Sequence, residues 1–223
     1  GHGPVLEQDI ALTNISLDLI GQARLLYQYI ASVSGQKTNE DELAMLRYEN
    51  EYLNLLLVEQ ANKNFGHTIM RQFMYDAFNL LQYEMLTHHQ DAQLNAIAVK
   101  SLKEIKYHYR YSIEWVIRLG DGTEESHAKM QEAMNELWRY TGEMFKMASY
   151  ETELLKSGEG IDVSLLETEW NQRVAAVAQQ AGLKLPQGEV MLYGGKEGKH
   201  TEQMGYILTE LQYMQRTYPQ MTW

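Results

Sequence analysis

Cysteine is absent from this 223-residue chain. That excludes disulfides and thiolate metal sites, and it fits a reducing cytoplasm. Proline occurs only three times and there is no long low-complexity tract, so no extended disordered segment is indicated. No run of about 18 or more apolar residues exists, which leaves no candidate transmembrane helix. No signal peptide is visible. The opening "GHGPVL" lacks an initiator Met and reads as a truncated start. Basic residues are the minority: 19 Lys and Arg stand against 30 Asp and Glu, a formal net charge of −11. Phosphate binding needs clustered Lys and Arg, so this balance argues against nucleic acid and anionic membranes as partners. What is present is a hydrophobic fraction of 44%, enough for one domain with a real core.

The pattern along the chain is helix after helix. "EQDIALTNISLDLIGQARLLYQYIASVSG" carries Ile10, Ile15, Leu19, Ala23 and Leu26 near a 3.6-residue period and ends at Gly35. "TNEDELAMLRYENEYLNLLLVEQ" opens on Thr38 or Asn39 as N-cap, with acidic residues in its first turn. "NFGHTIMRQFMYDAFNLLQYEMLTHH" is a third helix and "DAQLNAIAVKSLKEIKYHYRYSIEWVIRLG" a fourth, ending at Gly120. A fifth restarts with Thr123 as cap and runs to about Lys156. "DVSLLETEWNQRVAAVAQQAGL" is a sixth, and "TEQMGYILTELQYMQRTYP" closes the chain after a loop with little pattern. No two alternating Val- or Ile-rich stretches are placed to pair as strands. The reading is a single all-α domain over residues 1–223, built around long antiparallel helices.

Carboxylate-bridged di-iron proteins place Glu-x-x-His on bundle helices. Here "SLKEIKYHYR" sets Glu104 four positions before His108, and Ile105 holds the position three before. Positions i and i+4 share a helix face, so one metal could join Glu104 and His108, as it could Glu84 and His88. The commoner meaning of such pairs is an ordinary helix face. True Glu-x-x-His occurs at Glu124–His127, in a first helical turn, and at Glu197–His200, in a glycine-rich loop. Neither falls mid-helix on a buried face. The full ligand set of about four carboxylates and two histidines cannot be assembled. "GGKEGKH" could present backbone N–H groups to a phosphate, but it lacks P-loop spacing and reads as a surface connection. The 12 Met and 15 Tyr residues read as core and interface filler.

Four stretches carry a resemblance: "GHGPVLEQDIALTNISLDLIGQAR", "LLVEQANKNFGHTIMRQFMYDAF", "KEIKYHYRYSIEWVIRLGDGTEES" and "GGKEGKHTEQMGYILTELQYMQRTYPQMTW". They are long, collinear and span essentially the whole chain. They resemble the C subunits of bacterial phenylacetyl-CoA monooxygenase (ring 1,2-epoxidase) complexes of phenylacetate degradation. The resemblance implies a ferritin-like bundle with extra C-terminal helices, and a family N-terminal helix that this chain lacks. It implies a related catalytic A subunit that carries the di-iron site. Against that subunit's Glu-x-x-His, this chain has Leu19 at the glutamate position and Gln22 at the histidine position. In the later helix Ile105 replaces glutamate while His108 is kept, and Asp76 in "FMYDAF" matches a further carboxylate position. The expected site is vestigial, with no metal and no cofactor in this chain.

The function implied is that of a structural, non-catalytic subunit in the cytoplasm. It would support the catalytic A subunit beside other oxygenase and reductase subunits, and could form a homo-oligomer when isolated. The complex would epoxidise the ring of phenylacetyl-CoA with O2, using NADPH electrons through the FAD and iron–sulfur centre of the reductase. Two alternatives stay open: a catalytic di-iron oxygenase, revealed by stoichiometric iron, and a stand-alone acyl-CoA-binding protein, revealed by tight binding without a partner.

Overall fold

The computed structural model describes residues 3–219 and 221, and it is all-α, with no strand among those residues. The quoted opening and tail stretches include Gly1, His2, Gln220, Thr222 and Trp223, which lie outside the described residues. The helices in chain order are α1 (Leu6–Val33), α2 (Glu40–Met45), α3 (Leu56–Glu59), α4 (Phe65–Leu86), α5 (Ala92–Gly120), α6 (Glu124–Trp138), α7 (Ser149–Ser157), α8 (Glu167–Gln180) and α9 (Glu202–Thr217). The ferritin-like bundle that the resemblance implies is consistent with this arrangement.

Local chemistry sets the main starts. The Asn64 side chain accepts from the His67 backbone N–H to open α4, and Asp91 accepts from Leu94 to open α5. Thr123 and Ser126 cap each other reciprocally to open α6. The α4–α5 hairpin is the spine. A short turn joins the two helices, so they run antiparallel. α6 and α8 lie across the hairpin, and Gly120 ends α5 where a Cβ would stand 2.5 Å from the Ala181 carbonyl oxygen.

The main core lies between α4, α5, α6 and α8. Phe73, Ile69, Trp170 and Leu137 are fully buried there with Met70, Met74, Met130, Met134 and Met144. Those five unbranched thioethers adapt their shape to fill the space between the helices. Trp170 also donates from Nε1 to the Met74 carbonyl at 3.0 Å, so its one polar atom is satisfied.

Two sequence readings need correction. The stretch from Thr38 to Gln60 is not one helix. α2 stops at Met45, a 3-10 turn covers Glu49–Glu51, and α3 is a single turn. Side chains take over the backbone there: Arg47 donates to the carbonyls of Leu43 and Glu51, and Glu51 accepts from the Tyr48 N–H. The helix from Thr123 to Lys156 is also broken, between Trp138 and Ser149. The break carries Gly142, against which Met191 and Tyr193 pack, and the buried Glu143 beside it. Distant donors reach both breaks, Gln212 and Arg216 to the carbonyls of Arg47 and Leu46 and the Leu192 N–H to that of Arg139, so tertiary contacts outweigh a helical pattern.

Candidate functional site

α1 meets the bundle along a seam with α5 that is mostly polar. Of its 28 residues only Ile15 and Gln22 are buried. Four side-chain bridges join it to the α4–α5 hairpin: Gln8 accepts from Tyr111 at 2.8 Å, Asp18 meets His108 Nε2 at 3.0 Å, Gln22 donates to Glu104 at 2.8 Å, and Tyr29 donates to Asp91. Beside the seam lies a groove of about 330 Å³, lined by Asp18, Gln22, Arg24, Lys100, Ser101 and Glu104 among others. Its charges are of both signs, and both carboxylates are already engaged, so it exerts no one-sided pull on a charged ligand.

The positions singled out in the sequence divide. Gln22, Asp76, Ile105 and His108 are all buried, and Leu19 is partly exposed. Glu104 and His108 share a face of α5, yet each faces a different residue of α1. Asp76 sits on α4 inside the bundle, accepting from Gln72 at 2.6 Å and from Ser112 at 2.9 Å. Both partners are neutral. Burial therefore dominates and pushes its carboxyl up to about 8. Near neutral pH this favours the protonated acid in the metal-free bundle.

These residues do not fit a di-iron cage. Ile105 and Leu19 offer no donor atom, the Gln22 amide nitrogen is turned to Glu104, and His108 Nε2 is turned to Asp18. Among the described residues no group of three or more His, Asp or Glu side chains is placed to hold a metal ion.

The other candidate pairs are also separate. The Glu84 carboxylate lies 4.0 Å from Arg173, while His88 is exposed. His127 Nδ1 donates to the Gly120 carbonyl at 2.7 Å, closing the end of α5. His200 turns away from Glu197 to Glu59, at 2.6 Å.

"GGKEGKH" is not the surface connection that its composition suggests. Gly194, Gly195 and Lys196 are buried, and two buried carboxylates hold the segment. Glu143 accepts from the backbone N–H groups of Leu56 at 2.8 Å and Gly194 at 2.6 Å, with Lys196 N at 3.4 Å. Glu59 accepts from Asn54, from His200, and from the Thr201 N–H and hydroxyl, all within 2.6–2.9 Å. Four donors on two oxygens exhaust its capacity. Lys196 Nζ reaches Glu151 at 2.7 Å. Glycine is required at two points: a Cβ on Gly195 would meet Asn54 O at 2.2 Å, and Gly198 has φ +75° beside Asn50 O. Glu59 and Glu143 carried no sequence signal as anchors, because apart from Asn54 their partners are 51 to 142 positions away. The anchors deliver α9, whose Met204 and Leu208 pack on Tyr52.

No helix among the described residues is long and apolar enough to cross a membrane. Compared with known proteins, the sequence matches the family described as phenylacetic acid catabolic protein over residues 1–223. It is 45% identical over 223 residues to the C subunit of the 1,2-phenylacetyl-CoA epoxidase of Escherichia coli strain K12, covering 100% of this chain and 90% of the relative. The chain belongs to the phenylacetic acid catabolic protein family.

Proposed function

We propose that this chain is the structural, non-catalytic subunit of a phenylacetyl-CoA 1,2-epoxidase and works in the cytoplasm beside a catalytic di-iron subunit. The observation that carries this reading is the state of the ligand positions. Where a catalytic bundle needs converging donors, this one has Leu19, Ile105, the Gln22–Glu104 bond and the His108–Asp18 bond. An apolar or internally paired centre is a sturdier frame than an empty cage, since unpaired buried carboxylates are costly. The likeness to a protein named as one subunit of such an epoxidase supports the assembly role. Iron belongs to the partner in this reading, and FAD and the iron–sulfur centre to the reductase subunit. This chain holds its partner in productive shape.

Reconstitution tests it. Omitting this chain is expected to abolish epoxidation of phenylacetyl-CoA by the remaining subunits. Asp76→Asn in this chain is expected to leave turnover per assembled complex unchanged, because a scaffold carboxyl does no chemistry. Full turnover without this chain would sink the scaffold role. Loss of turnover in a folded, assembled Asp76→Asn complex would favour the catalytic alternative.

A further inference from the structure

The outward face of α5 is basic. Lys100, Lys103, Lys106 and Arg110 are all exposed, and steps of three, three and four residues keep them on one side of the helix. At about 1.5 Å per residue the stripe is about 15 Å long. The opposite side of the same stretch, with Ser101, Ile105 and His108, is buried. Four of the chain's 19 basic residues thus stand within eleven positions, in a protein of net charge −11. The stretch holds one acid, Glu104, which accepts from Gln22 on α1. The next acid is Glu114, one turn beyond Arg110.

Two observations set the stripe apart from an ordinary solvated face. Among the described residues none of its four cations pairs with a carboxylate, whereas Lys63, Lys129, Arg173 and Lys196 each do. Like charges three and four residues apart weaken a helix, and the stripe lies in the middle of α5, away from the last turn where cations suit the dipole. A local rule broken without local compensation marks a functional surface. The stripe also contains an ordered anchor. Tyr107 is 42% exposed among the cations, and the Arg110 guanidinium lies over its ring at 5.7 Å. Tyrosine and arginine are the side chains that dominate the energetics of protein interfaces.

Charge decides what covers this face. An apolar partner would take four cations out of water without compensation. A nucleic acid duplex would meet the negative charge of the rest of the chain on either side of so short a stripe. A protein surface lined with carboxylates matches the stripe, and at a Debye length of about 8 Å it responds to the nearby cations more than to distant acids.

We propose that the Lys100–Arg110 face of α5 docks an acidic surface of another subunit of the epoxidase, held by charge rather than by apolar burial. That the partner is an epoxidase subunit rests on the proposed function; that it is acidic rests on the stripe. Such a contact is salt-sensitive, unlike an obligate apolar interface.

Binding of each purified subunit to this chain, followed by light scattering at ionic strengths of about 0.1 M and about 1 M, tests it. One subunit is expected to bind at the lower salt and to leave at the higher. Lys103→Glu/Arg110→Glu is expected to weaken that binding about tenfold or more at the lower salt. Lys37→Glu/Lys184→Glu changes the net charge equally at exposed positions outside α5 and is expected to bind as the parent does. Circular dichroism checks each fold. Should the first variant lose helicity, Lys103→Ala/Arg110→Ala takes its place, with weaker binding again expected. A stripe variant that binds like the parent overturns the proposal. So does equal weakening by the control pair, which would be an effect of net charge alone, and so does tighter binding of a short DNA duplex than of any subunit. A parent that binds no other subunit overturns the scaffold reading together with this one, whereas loss of the stripe effect alone leaves the scaffold reading standing.

Discussion

Glu143→Ala is expected to lower the unfolding free energy by about 2–6 kcal/mol, since it leaves the N–H groups of Leu56 and Gly194 buried without an acceptor, each costing about 1–3 kcal/mol. The effect reaches further than one pair of bonds. Glu143 sits in the break between α6 and α7 and ties together two segments distant in sequence, the turn before α3 and the loop before α9. Losing it should free the arm as well as weaken the core. Two readouts follow. Urea unfolding gives the loss of stability, and limited proteolysis should cut between residues 186 and 200 in the variant under conditions where the parent resists. Glu143→Gln keeps one oxygen acceptor and should lose less. A change under about 1 kcal/mol in the alanine variant would mean that water already reaches those N–H groups.

Asp76→Asn is expected to flatten the dependence of stability on pH. Burial raises the folded carboxyl to about 8, whereas an unfolded Asp titrates near 3.9. Between those values the folded chain holds a proton that the unfolded chain has released. The stability contributed by the neutral acid is therefore complete below about pH 4 and is lost as pH rises towards about 8, by at most about 1.4 kcal/mol per pH unit. Asparagine has the same shape and no proton to lose, so its stability should not fall across that window. The parent and variant lines, measured by urea unfolding at several pH values, should diverge in favour of the variant as pH rises. Parallel lines would mean that Asp76 is ionised in the folded chain and has a cationic partner or water. A carboxyl at a position that the family resemblance assigns to a ligand is kept here as a neutral hydrogen-bonding group among Gln72 and Ser112.

The long helices are legible in the sequence because their signals are local. Asn64, Asp91 and Thr123 cap where polar residues precede apolar periodicity, and Gly120 ends α5 as the pattern stops. The breaks at Met45 and Trp138 are not legible, since the residues around them have adequate helix propensity and the competing bonds come from distant segments. Arg47, which lies 4.3 Å over the Tyr52 ring and also donates to Tyr27, organises a turn that no short-range rule describes. Ile10 shows a related limit. Periodicity sets it with Ile15 on one apolar stripe, yet Ile15 is buried and Ile10 faces out. A helix with two apolar faces gives one blurred period.

The candidate site is legible in part. Gln22, Asp76, Ile105 and His108 are buried as a bundle interior requires, and the resemblance names them. Their partners are another matter. Nothing local ties Asp18 to His108 or Gln22 to Glu104, 90 and 82 positions away, and composition makes the tightly held Gly194–His200 segment look like a loose loop.

The most direct test of the scaffold reading is the iron content of the isolated chain after anaerobic loading with Fe(II) and desalting. The expected result is far less than one iron per chain, with no difference between parent and His108→Ala. About two irons per chain, the complement of a carboxylate-bridged bundle site, lost in a folded His108→Ala variant, would contradict it.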